Sequence, residues 1–193
     1  MLKLFGNLNS SVLIIGCFHG DEPQGKFLIE KYLNKKSGTS LMFIPCLNEY
    51  GVEHNVRKNS NGVDLNRNFP TKNWELTEKD NFFGGNSPES EEETKFVIDV
   101  IENHTPKIIL TLHAPYKVVN YDGPAREISD KISKIIGYPV EENIGYPTPG
   151  SFGTWAGIER NIPTITLELD EEIDIKELEA PVFKIFEMLE KYE

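Results

Sequence analysis

Apolar runs alternate with helical patterns along this chain, which predicts an α/β fold. Continuous apolar runs at 12–15, 41–44 and 108–112 are typical of strands that are buried on both faces of a sheet. Between the first two runs, apolar positions at helical spacing predict a helix that begins near Pro23 and ends at Ser37–Gly38. A strand, a helix and a strand in such close succession predict a parallel pair of strands joined by a crossover helix.

The second half of the chain continues the alternation, and we predict one α/β domain over residues 1–193 with a largely parallel sheet between helices. The elements predicted there are a helix with its N-cap and first turn at Ser87–Pro88, a short strand at 118–119, a helix at about 124–136, a strand at 164–169, and a closing helix capped at Asp174 with Glu177 at capping-box spacing. Two segments, 48–86 and 138–153, show no sustained period. Loops of that length in a compact domain are usually functional.

Composition narrows the classes of function. Twenty basic residues against 31 acidic ones give a formal charge of −11, which argues against a nucleic-acid partner. The chain has only four arginines, and two of them, Arg57 and Arg67, lie close together in the first irregular segment. One cationic pocket is therefore compatible with an otherwise acidic surface.

Targeting signals are not found in the sequence. No apolar run approaches the length of about 18 residues that a membrane span needs, and the first residues do not form a signal peptide. We therefore expect a cytoplasmic protein with no membrane association. Cys17 and Cys46 both end strand-like runs, and we expect them to be reduced core residues.

Candidate metal ligands follow two of the predicted strands. His19 and Glu22 come directly after the first strand, and His113 follows the strand at 108–112. The carboxyl ends of strands in open α/β sheets are where ligands bind, and imidazole and carboxylate groups are ligands that Zn²⁺ accepts. The sequence therefore predicts one zinc ion per chain, held by these three residues.

Further candidates are a carboxylate in the last strand and the arginines of the irregular segment. Glu168 lies in the otherwise apolar run 164–169, and a buried carboxylate is costly unless it is paired or has a function. Arg57 and the pair Asn66–Arg67 present donors that suit a carboxylate or a carbonyl oxygen.

Taken together, these residues resemble the zinc carboxypeptidases related to carboxypeptidase A, over about residues 12–170. The amino-acid sequences of three segments are similar to those of one branch of that family, the bacterial murein peptide amidases. These are cytoplasmic enzymes that cut the γ-D-glutamyl–diaminopimelate bond of recycled cell-wall peptides. The similar segments are His19–Pro23, Gly62–Pro70 and Tyr146–Gly153.

The resemblance implies a fold and a role for each residue. The fold would be an α/β/α sandwich around a mixed sheet of about eight strands. Arg57 would polarise the scissile carbonyl, while Asn66 and Arg67 would hold the terminal carboxylate of a small peptide substrate. Asp64 would hydrogen-bond a zinc-ligating histidine, and Glu168 would act as general base on the attacking water and then protonate the leaving amine. The family also has a mobile tyrosine before the last strand, for which Tyr146 is the candidate and Tyr138 the alternative.

Two other functions stay open at this point. Aspartoacylase and succinylglutamate desuccinylase enzymes share a His-Gly-x-Glu loop and an Asp-Leu-Asn-Arg segment, so an N-acyl amino acid deacylase is the first alternative. A non-catalytic zinc-binding or peptide-binding module is the second, although such a module has no need of a buried base such as Glu168. The sequence does not indicate an oligomeric state.

Overall fold

The computed structural model describes residues 2–142, 145 and 147–192, and it shows helices on both faces of one mixed sheet. Seven strands of this part of the chain form the sheet, in the order β1-β3-β2-β4-β7-β5-β6. The strands are β1 (Phe5–Gly6), β2 (Val12–Gly16), β3 (Met42–Ile44), β4 (Ile108–His113), β5 (Val118–Asp122), β6 (Val140–Glu141) and β7 (Thr164–Glu168). The α-helices are α1 (Gln24–Lys35), α2 (Glu49–His54), α3 (Glu92–His104), α4 (Arg126–Ile136) and α5 (Ile175–Leu189). A 3₁₀ turn at Leu65–Arg67 and a π-helical turn at Thr154–Ile158 complete the described elements.

The four central strands β3, β2, β4 and β7 are parallel, as the strand–helix–strand pattern predicts. β1 is antiparallel to β3, and β5 is antiparallel to β7, so the sheet is mixed. The α/β/α sandwich that the resemblance implied is confirmed, with seven strands in the described residues rather than about eight.

Alternating side chains of the central strands supply two separate hydrophobic cores. Val12 and Ile14 face the core beneath α1, α4 and α5, whereas Leu13 and Ile15 face the core beneath α3. Both faces of β2 are therefore buried, which explains why its sequence is a continuous apolar run. Cys17 and Cys46 are buried and unbridged, as expected.

The helix predicted to start at Ser87–Pro88 begins later, at Glu92. Glu89 adopts a left-handed backbone conformation with φ of 56°, so the chain cannot enter a helix before that residue. Instead of capping a helix, the backbone carbonyl of Ser87 accepts a hydrogen bond from the side chain of Asn68. By contrast, the last helix begins where predicted, because the Asp174 side chain accepts the backbone N–H of Lys176.

The register of the central strands brings the candidate residues to one edge of the sheet. Gly16 pairs with Leu112 and His113 pairs with Glu168, so β2, β4 and β7 end at nearly the same level. Glu168 is the last residue of its strand, not an internal one, and its side chain stands beside that of His113 at the carboxyl edge. None of the helices in the described residues is long and apolar enough to cross a membrane.

We expect Gly20→Ala to destabilise the loop that follows β2. A methyl group at this position would lie 1.9 Å from the carbonyl carbon of Gly51, so one of the two backbones must move. The free energy of unfolding should fall by about 1–3 kcal/mol, the usual cost of overpacking. Gly38→Ala is the matched control, because nothing lies within 4 Å of the added methyl group. Urea unfolding of both variants measures the difference, and equal unfolding midpoints would contradict the proposed crowding at Gly20.

Candidate active site

A cavity of about 620 Å³ opens at the carboxyl edge of the sheet. Seven of the residues singled out in the sequence line it, although they come from four separate parts of the chain. These residues are His19, Glu22, Arg57, Asn66, Arg67, His113 and Glu168. The long loops contribute the outer wall, which fits their irregular sequence.

Two imidazole rings converge on one carboxylate at the base of this cavity. His19 Nδ1 lies 2.8 Å from Glu22 Oε1, and His113 Nδ1 lies 3.0 Å from Glu22 Oε2. One ligand atom from each residue lies within 4.8 Å of the others, and all three residues are buried. Two imidazole nitrogens and a carboxylate oxygen are a donor set that zinc accepts, so these residues fit a bound zinc ion.

Asp64 lies behind this donor set and fixes the His19 ring. Its Oδ1 is 3.0 Å from His19 Nε2, which leaves Nδ1 directed toward Glu22. Its Oδ2 accepts hydrogen bonds from Nε and Nη2 of Arg57, at 3.0 and 2.9 Å. Asp64 is fully buried, and this one carboxylate therefore orients both a candidate metal ligand and a candidate substrate-binding arginine.

The buried charged groups shift one another's pKa values strongly. Burial alone would lower the pKa of His19, but the Asp64 and Glu22 carboxylates raise it to about 9. Burial opposes ionisation of Asp64 and Glu22, yet their histidine partners hold the pKa of both carboxyls well below the usual range. The two carboxylates therefore favour the protonated form of His19, and binding of a metal ion would release that proton.

Glu168 lines the same cavity and lies next to the donor set, because it pairs with His113 in the sheet register. Its Oε2 is buried and has no hydrogen-bond partner among the described residues. Burial, with the nearby Glu22 carboxylate, raises the pKa of Glu168 to about 8. A carboxyl group poised near neutral pH beside a polar cavity is suited to accept and return a proton.

Asn66 and Arg67 lie on a 3₁₀ turn that Asp64 caps through a hydrogen bond from the backbone N–H of Asn66. The Asn66 side-chain oxygen accepts the backbone N–H of Phe152 at 2.9 Å, so its amide NH₂ group is left to face the cavity. Arg67 donates one hydrogen bond, from Nη1 to the Asn66 carbonyl, and its other donors are available to an anion.

The two candidate tyrosines differ in what the structure says of them. Tyr146 lies outside the described residues. Tyr138 packs against the core beneath α4, and its hydroxyl accepts the backbone N–H of Asp170, so it does not line the cavity. The structure therefore does not support Tyr138 as the alternative.

Sequence reasoning missed two cavity residues. Asp122 is the last residue of β5. Burial raises the pKa of its carboxyl group to about 6, and no charged group among the described residues contributes to this shift. Phe82 is half-exposed and lies over the guanidinium groups of Arg57 and Arg67. The one sequence signal for Asp122 as a cavity residue is its position at the end of a strand. The strand predicted at 118–119 is too short to include Asp122.

The sequence pattern of the Peptidase M14 family, described as zinc carboxypeptidase, matches residues 6–129. The chain belongs to this family. It is therefore a hydrolase of the zinc carboxypeptidase type, and the matched segment contains the three candidate metal ligands, Arg57 and Asn66–Arg67.

Within this family, the chain is similar to murein peptide amidases in both sequence and structure. Murein peptide amidase A of Vibrio campbellii is 34% identical over 182 residues, covering 83% of this chain and 70% of that protein. The enzyme of the same name from Escherichia coli K12 is 31% identical over 172 residues, covering 82% and 70%. The structure of murein-tripeptide amidase MpaA from Escherichia coli O157 superposes with a TM-score of 0.83 at 28% identity, covering 97% of this chain and 85% of that one.

We expect His113→Ala to lose most of the bound zinc, whereas the wild-type protein binds one ion per chain. Removing one of three protein ligands leaves two, and even residues that only orient ligands usually contribute about 10- to 100-fold to metal affinity. Metal analysis after gel filtration measures the stoichiometry.

His104→Ala is the matched control. His104 is the last residue of α3 and does not line the cavity, and its Nδ1 contacts the Leu8 carbonyl. An unchanged zinc content in His113→Ala would remove His113 from the metal site.

Proposed function

We propose that the protein is a zinc-dependent amidase that cleaves the γ-D-glutamyl–meso-diaminopimelate bond of a murein tripeptide. The observation that carries this proposal is that one cavity is lined by a three-residue metal donor set, a buried unpartnered carboxyl oxygen of Glu168, two arginines and the carboxylate of Asp122. The similarity to murein peptide amidases supports the choice of substrate. Residues 1–193 would act as one catalytic domain, in the cytoplasm and in peptidoglycan recycling.

The metal site supplies Lewis acidity. His19, Glu22 and His113 would hold the zinc ion, which, when bound, polarises a carbonyl oxygen and makes water a better nucleophile. Asp64 keeps the His19 ring in the orientation that presents Nδ1 to the metal.

The two arginines divide the recognition of substrate. Arg67, with the Asn66 amide, would bind the α-carboxylate of the leaving residue, which is charged before and during the reaction. Arg57 donates from Nε and Nη2 to Asp64, and its Nη1 lies 3.7 Å from Glu22 Oε1 at the cavity, where it would stabilise the negative charge that grows on the scissile carbonyl oxygen. Only the second interaction strengthens as the reaction proceeds.

Glu168 would move the proton. Its unpartnered Oε2 would accept a proton from the attacking water and then donate it to the nitrogen of the leaving amine. The backbone N–H of Tyr116 favours the ionised form of Glu168 and partly offsets the rise in its pKa that burial causes. A cation at the neighbouring donor set would offset the charge of Glu22 and lower the raised pKa of Glu168, which favours the base form.

Asp122 supports a leaving residue that carries an amine. It contacts the segment that also binds Asn66: the Phe152 N–H holds the Asn66 side chain, and Gly153, the next residue, packs directly against the Asp122 carboxylate. A residue whose α-carboxylate is bound by Asn66 and Arg67 would therefore extend its side chain toward Asp122. The side-chain ammonium of diaminopimelate would pair with this carboxylate, while hydroxyls of Thr148 and Ser151 lie on the same wall.

We expect Glu168→Gln to fold and bind zinc but to lose most activity. The change keeps the volume and removes the proton-accepting group, which typically contributes about 10²- to 10⁴-fold to the rate. Glu172→Gln is the matched control, because the Glu172 carboxylate is exposed and pairs with Lys117 alone among the described residues. Steady-state rates with the murein tripeptide, beside zinc content, give the comparison, and near wild-type turnover in Glu168→Gln would assign the base elsewhere.

We expect the tripeptide L-Ala-γ-D-Glu-meso-diaminopimelate to be hydrolysed at least about tenfold better than the same peptide ending in alanine, because only the former can pair with Asp122. Asp122→Asn should remove most of this preference and leave the alanine peptide unaffected. The measurement is kcat/KM for each peptide with both proteins.

Two further substrates separate the alternatives. A tripeptide ending in lysine keeps the amine but lacks the side-chain carboxylate, and we expect it to be a poorer substrate than the diaminopimelate peptide. N-Acetylaspartate tests the deacylase alternative: a preference for it over both tripeptides would place the protein with that group. If the zinc-loaded protein hydrolyses none of these substrates, the result would favour the alternative of a non-catalytic binding module.

A further inference from the structure

The ring of Phe82 lies beside the guanidinium groups of both arginines of the cavity. Its ring centroid lies 5.4 Å from Arg57 Cζ and 5.6 Å from Arg67 Cζ. The side chain is 49% exposed and lines the cavity, so its ring can contact both guanidinium groups where a substrate would enter. Among the described residues, Asp64 hydrogen-bonds the guanidinium group of Arg57 but not that of Arg67, so no carboxylate bridges the two groups.

The loop that carries Phe82 is held in place from both sides. Before it, the Asp80 side chain accepts the backbone N–H of Phe82, and the Asp80 carbonyl accepts a hydrogen bond from Lys58. After it, Phe83 is buried, and its carbonyl accepts the backbone N–H of Asp64 at 2.8 Å. The ring is therefore presented to the cavity by a fixed backbone.

The same loop is fitted closely to Arg67. A Cβ atom on Gly84 would lie 2.4 Å from the Arg67 carbonyl oxygen, and the Gly84 carbonyl accepts a hydrogen bond from Asn68. The loop backbone therefore packs directly against the Arg67 backbone, which places the Phe82 ring beside the Arg67 guanidinium group.

Two guanidinium groups at one cavity repel each other and lose solvation when a substrate enters. An aromatic ring beside a guanidinium group attracts it through the ring quadrupole, and the attraction is stronger where water is excluded. The ring also restricts the rotamers of two long side chains, so less conformational entropy is lost when they bind an anion. An aliphatic side chain of similar size gives the packing without the attraction.

We propose that Phe82 is a positioning residue that holds the guanidinium groups of Arg57 and Arg67 toward the substrate cavity. The inference rests on the proposed function for its kinetic consequences, but the arrangement itself is tested without substrate. Through Arg67 the ring acts on binding of the leaving residue's carboxylate, and through Arg57 it acts on the rate.

The arrangement is read directly from the arginine Nε–H resonances of the zinc-loaded protein by ¹H–¹⁵N NMR. The chain has only four arginines, so the spectrum is simple. In Phe82→Leu we expect the Hε resonances of Arg57 and Arg67 to shift because the ring current is lost. Arg126 and Arg160, which face Tyr121 and Trp155, are internal controls and should not move.

The consequence is read from kinetics with the murein tripeptide. We expect Phe82→Leu to lower kcat/KM by about 5- to 30-fold, which corresponds to two such contacts, through both a higher KM and a lower kcat. Phe82→Tyr should restore both values. In an Arg67→Ala background, Phe82→Leu should raise KM no further and should still lower kcat, which a merely structural role of the loop would not produce.

Each result decides a different point. Unshifted resonances of Arg57 and Arg67 in Phe82→Leu would overturn the proposal, and so would wild-type kinetics of that variant or equal defects in the Tyr and Leu variants. A wild-type protein that leaves the tripeptide intact would contradict the proposed function only, because the NMR experiment tests the arrangement without substrate.

Discussion

The carboxylate of Glu22 is the interaction on which the rest of the site depends. It accepts contacts from His19 Nδ1, from His113 Nδ1 and from the backbone N–H of Ala114. The loop after β2 and the end of β4 are thereby joined by one buried charge. A buried carboxylate is stable only with such partners, and when they are imidazoles the same geometry is a metal donor set. The sheet register, which places β2 beside β4, is what makes the contact possible.

A second layer of buried polar groups holds the irregular segment against this centre. Asn68 donates to the carbonyls of Gly84 and Ser87, and the buried Glu91 accepts from Asn59 and Asn61. These bonds replace the backbone ladder that a helix or strand would supply. The arginines of the cavity therefore project from an ordered scaffold, although their segment has almost no regular secondary structure.

Five of the seven described strands and four of the five described α-helices could be predicted from the sequence, because burial on one or both faces leaves a period in the apolar residues. The two-residue strands β1 and β6 and the short helix α2 are too short to leave such a period, and they were missed. The residues at the ends of β2, β4 and β7 could be predicted for the same reason, since parallel strands end at one edge. The start of α3 could not, because the left-handed backbone of Glu89 reflects tertiary contacts. Phe82 and Asp122 were missed because their significance lies in which distant residues they face. The cavity roles of the predicted residues stay predictions, and the family and the fold are confirmed.

The central claim is that one metal ion is bound by three side chains from two strand ends. Anomalous diffraction at the zinc edge from crystals of the zinc-loaded protein tests it most directly. We expect one strong peak per chain at about 2.0–2.2 Å from Nδ1 of His19, Nδ1 of His113 and the Glu22 carboxylate. A peak at another cluster, or one bonded to only one of these residues, would contradict the account.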